Sequence, residues 1–102
     1  MPKSEFCRLV ESNPPYAPLR TLVNGANSLL DGVEAVTVDD FIDAVRFTHN
    51  GITSQVEWVA LNPDGTGEAI RFIYDSSNPD DCTYASDLHD VASILEQTIN
   101  ER

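Results

Sequence analysis

Asn50-Gly51, set between AVRFTH and ITSQVEWVAL, constrains the fold more than any other pair of residues in the chain. Asparagine and glycine tolerate the positive φ angles of a two-residue hairpin turn, and the flanking segments are rich in β-branched and aromatic residues. The turn also fixes register. It sets His49 opposite Ile52, Phe47 opposite Ser54 and Val45 opposite Val56 on one face. On the other face Thr48 opposes Thr53, Arg46 opposes Gln55 and Ala44 opposes Glu57. One face is mainly apolar and the other polar, as a sheet buried on one side requires.

A second turn follows at Asn62-Pro63-Asp64-Gly65-Thr66, with Gly67 beside it. A slip of one residue there would send every side chain of the next strand to the opposite face, so burial chooses the register. Ile70, Phe72 and Tyr74 join Val56 and Trp58 on the apolar face, which places Arg71 on the polar face near Glu57 and Arg46. The stretch from Asp40 to Asp75 thus reads as a three-stranded antiparallel meander.

Helices supply the cover. Ser4 can cap a helix over residues 5–12, with Phe6, Leu9 and Val10 on one face, and Asn13-Pro14-Pro15 stops it. Tyr16-Ala17 reads as a connector. Pro18 suits a first helical position, and Leu19, Leu22, Val23, Ala26, Leu29 and Leu30 then recur at helical spacing up to a left-handed cap at Gly32. Gly25, inside that helix, predicts a close approach to the sheet. Residues 33–38 read as an extended lead into the meander and residues 76–81 (SSNPDD) as a loop. Ser86 is placed to cap a last helix, with Asp87 and Asp90 in its first turn and a stripe of Leu88, Val91, Ala92, Leu95 and Ile99. The order α-α-β-β-β-α predicts a single α+β domain over residues 1–102, a two-layer sandwich with helices on one face of the sheet.

Charge narrows the functional classes. Six Lys and Arg stand against seventeen Asp and Glu, a formal net charge of −11. Such a chain repels nucleic acid and anionic membranes and attracts basic partners. The 102 residues contain no apolar run of membrane-spanning length and no leader-like start, so a cytoplasmic protein is expected. Cys7 and Cys82 have no metal-ligand spacing and read as two reduced thiols.

No catalytic pattern emerges. Gly65-Thr66-Gly67 sits in a hairpin loop, where a dinucleotide fingerprint does not function. Asp64, Thr66 and Glu68 alternate as calcium ligands do but lack the distal glutamate. His89 has Asp87 and Asp90 for neighbours but no nucleophile to serve, and His49 borders the tight turn. Trp58 reads as a core anchor, and as an interface hot spot wherever helices leave it uncovered.

The meander also distributes the acids. Asp39, Asp40 and Asp43 precede its first strand, and Asp64 and Glu68 flank its second turn, so these five gather at the end of the sheet opposite Asn50-Gly51. Asp75, Asp80, Asp81 and Asp87 are expected toward the other end. The five define the expected partner-binding surface of a small acidic protein, without cofactor or metal, that blocks a basic, nucleic-acid-binding surface of another protein. Phage anti-CRISPR or anti-restriction inhibitors and nuclease-toxin immunity proteins have this character. The alternative is an adaptor or chaperone-like module, or a homodimer, that uses an apolar groove or adds a strand at the first or third strand of the meander.

Overall fold

Asn50 and Gly51 adopt φ angles of 52° and 79° in the computed structural model, which describes residues 4–38, 43–60 and 62–101. The turn joins β2 (Ala44–His49) to β3 (Ile52–Ala60), and all six pairs follow the register that a two-residue turn dictates. The second turn holds Gly65 and Gly67 at φ 85° and 73° and leads into β4 (Glu68–Ile73). There Val56 pairs with Phe72 and Trp58 with Ile70, as burial requires.

Among the described residues the sheet has five strands where the sequence suggests three. Residues 33–38 form an edge strand, β1 (Glu34–Thr37), antiparallel to β2. The second addition is β5 (Cys82–Ala85), antiparallel to β4, between the loop and the last helix. The order β1-β2-β3-β4-β5 is a simple meander. Short polar-flanked segments of this kind carry too few alternating positions to be read as strands locally, and pairing with a formed neighbour decides them.

Three helices among the described residues cover one face. Ser4 caps α1 (Glu5–Glu11) by accepting from the Cys7 N–H. Its buried side is Phe6, Cys7 and Val10, whereas Leu9 is 45% exposed. Helix α2 (Thr21–Leu29) begins later than its proline suggests, because Pro18 to Arg20 form tighter turns ahead of it. Gly25 does mark a close approach, but to α1 and not to the sheet: a Cβ there would lie 3.0 Å from Leu9 Cδ2 and 3.6 Å from Phe6 Cε1. Asp87, not Ser86, caps α3 (Leu88–Asn100), accepting from the Asp90 N–H at 3.0 Å.

The core lies between the helices and the face carrying Ala35, Val45, Phe47, Val56, Ile70, Phe72 and Ala85. Helices contribute Phe6, Val10, Leu22, Ala26, Leu88, Val91 and Leu95. Each large side chain sealed there is worth about 1.5–3 kcal/mol relative to exposure. The opposite face carries a polar chain. Arg46 Nε donates to Gln55, Gln55 reaches Glu57 at 3.4 Å, and Arg71 pairs with Glu57. That pairing pushes the Arg71 guanidinium further up.

Candidate functional site

Sheet register decides what meets at each end of the molecule. Asp43 directly precedes the Ala44–Glu57 pair, and Glu68 pairs with Ala60. Asp64 lies in the turn between β3 and β4. These three therefore occupy the end opposite Asn50-Gly51, as expected. Asp39 and Asp40 lie outside the described residues.

The fifth strand changes the rest of the distribution. Ala85 pairs with Ile70 near the start of β4, so the chain has returned to the acidic end by the time it reaches Ser86. Asp87 and Asp90 at the head of α3 therefore belong with Glu68, and the expectation that Asp87 lies at the far end is corrected. Asp75, Asp80 and Asp81 do lie beyond the other end of β4, before β5.

Two of the acids named from the sequence have structural tasks. The Leu19 N–H donates to both oxygens of Asp43, at 2.9 and 3.0 Å, in the turns that open α2. The carboxylate thus satisfies an amide that the start of a helix leaves without a partner. Asp64 accepts from the Thr66 hydroxyl at 2.6 Å and the Thr66 N–H at 3.0 Å. Those donors hold its carboxyl below the usual carboxylate range, the hydroxyl contributing most.

A groove opens among these residues. One lobe, about 570 Å³, is lined by Tyr16, Trp58, Glu68, Tyr84, Ser86 and Asp90. A second, about 480 Å³, continues past Trp58 toward Ala60 and Gly65. Trp58 is half-buried: it packs against the core and also faces the groove. Tyr16 is 74% exposed and Tyr84 54%. Tyr16 reads locally as a connector, but the Leu88 N–H donates to the Pro15 carbonyl at 2.8 Å and ties that connector to the head of α3. Tyr84 lies on β5 and Asp90 in the first turn of α3, and β5 brings both back to this end. The Cys-Thr-Tyr run after a proline turn is the sequence signal for that strand.

The histidines have other surroundings than the acids beside them in sequence suggest. The His89 Nε2–H donates to the Asn13 carbonyl at 2.9 Å, pinning α3 to the end of α1 and not pairing with Asp87 or Asp90. The His49 ring lies beside Gly32, with Nδ1 enclosed and without a hydrogen-bond partner among the described residues. Among the described residues no three His, Cys, Asp or Glu side chains are grouped to hold a metal ion. Cys7 and Cys82 are both free thiols, and burial pushes the Cys7 thiol up. No helix among the described residues is long and apolar enough to cross a membrane.

The strand-addition alternative meets a topological obstacle. The first and third strands of the expected meander are β2 and β4, and each is paired on both sides. Comparison of the chain with protein-family models, with curated proteins and with solved structures finds no match.

Proposed function

We propose that this chain is a small non-enzymatic binding protein that occupies a basic, nucleic-acid-binding surface of a partner protein. Its class would be that of phage inhibitors of bacterial defence complexes, such as anti-CRISPR or anti-restriction proteins, or of immunity proteins against nuclease toxins. It would act in the cytoplasm of the cell that holds its target. The observation that carries this reading is the convergence of Asp43, Asp64, Glu68, Asp87 and Asp90 at one end of the sheet. Like charges gathered on one end repel one another, and a basic partner relieves that repulsion. Carboxylates spread over a compact surface can stand where phosphates would stand in a cationic cleft. Of the five residues named from sequence, Asp39, Asp40, Asp64 and Glu68 are the proposed contacts, while Asp43 serves the start of α2.

The test is competition. A partner captured from host extract is challenged with its own nucleic acid in the presence of this protein, at about 50 and 200 mM salt. The expected result is mutual exclusion, with association slowing steeply as salt rises. A variant carrying D39N, D40N, D64N and E68Q should keep a cooperative unfolding transition and lose partner binding by tenfold or more. Binding that survives this neutralisation sinks the reading and favours the apolar-groove adaptor.

A further inference from the structure

We infer that the groove at the acidic end receives an arginine side chain of the protein partner, its guanidinium stacked on Trp58 and Tyr16 and paired with Glu68 and Asp90. This rests on the proposed function and names the group that the acidic end would capture.

The groove joins two features that seldom coincide by packing alone. Tyr16 and Tyr84 hold aromatic surface in solvent, at 74% and 54% exposure, and line the groove together with the half-buried Trp58. An aromatic face attracts a cation through its quadrupole, tryptophan most strongly. Two carboxylates share the same walls. Glu68 has no hydrogen-bond or ion-pair partner for its side chain among the described residues. Asp90 is held in place, because the Ser86 N–H and hydroxyl both donate to its Oδ2, at 3.2 and 3.1 Å. That leaves Oδ1 for a ligand. Among the described residues no lysine or arginine lines either lobe to neutralise the pair.

The charge excludes an acidic or phosphorylated occupant, and the aromatic walls would be wasted on a small hydrated cation. Arginine suits both surfaces. Its planar, weakly hydrated guanidinium stacks on rings and offers several donors in one plane, whereas the lysine ammonium is a compact, strongly hydrated point charge. Arginine is also the residue that basic, phosphate-binding surfaces present most often for bidentate contacts.

Trp58 is the only tryptophan in the chain, so its fluorescence reports on the groove directly. The full chain is titrated with a short Gly/Ser peptide carrying one central arginine, and with the same peptide carrying lysine or citrulline. The arginine peptide should change Trp58 emission saturably and the citrulline peptide should not, with lysine at least several-fold weaker. E68Q and Y16A should each weaken the arginine response by about fivefold, with the parent's cooperative unfolding retained. No saturable response, an equal response to citrulline, or lysine matching arginine would overturn the inference. The two proposals fail separately. If the peptide does not bind while the fourfold neutralised variant still loses its partner, the groove assignment falls and the function stands. If the peptide binds while that variant keeps its partner, the groove takes arginine but not from that partner, so the function falls and with it the assignment of the arginine to the partner.

Discussion

Asp43 and Asp64 show how little an acidic residue's position says about its use. Both sit at the end of the sheet where contact residues are expected, and both are engaged within the chain. Asp43 meets an amide 24 residues away, a partner that no local spacing announces. Asp43→Ala should lower stability by about 1–2 kcal/mol in urea unfolding, and Asp43→Asn by less, because one acceptor oxygen remains. An unchanged midpoint in the alanine variant would return Asp43 to the contact surface. Asp64, by contrast, shows its partner in sequence, two residues on in a glycine-rich turn. Its folded carboxyl is depressed, so its contribution is present above the pKa of the unfolded chain and is lost as pH falls through the folded value. Thr66→Val removes the hydroxyl donor and leaves the N–H, so the Asp64 pKa should rise part of the way to the ordinary range, read by NMR titration. A pKa that stays put would show that the hydroxyl is not its cause.

At the scale of elements, the strands in the middle of the sheet and the capped helices were legible from turn chemistry and periodicity, and the two edge strands were not. β1 and β5 have four residues each and owe their existence to a neighbour that is already paired. β1 is also shielded. The Ala35 N–H donates to the Asn27 side-chain oxygen at 2.8 Å, and the Asn27 amide donates back to the Ala35 carbonyl at 3.0 Å. One side chain of α2 thus takes the bonds that an added strand would use, which blunts the edge against self-association. Asn27→Ala should cost about 1–2 kcal/mol for the two lost bonds. It should also produce concentration-dependent oligomers in analytical ultracentrifugation. A monomer of unchanged stability would mean that the edge needs no such guard. Gly25 carries the same lesson: the glycine in sequence signals a close approach, but only the fold says that α1, not the sheet, makes it.

For the whole molecule, the net charge of −11 is unevenly spread. Arg46 and Arg71 are taken up by the polar chain on the open face of the sheet. Raising salt from about 10 to 150 mM shortens the screening length from about 30 to 8 Å, which should weaken repulsion among the clustered carboxylates. The thermal unfolding midpoint should therefore rise over that range. A midpoint that falls would mean that attractive pairs outweigh the repulsion.

The sequence by itself determined the Asn50-Gly51 hairpin, the register of the strands around it, the buried face and the acidic character of the chain. Each follows from interactions between near neighbours, or from a period that burial enforces. Only the tertiary structure decided that two more strands extend the sheet. It alone decided that the head of α3 returns to the acidic end and that Tyr16, Trp58, Glu68 and Asp90 line one groove. Those outcomes depend on pairings between segments far apart in the chain, whose energy appears only when both partners are already in place.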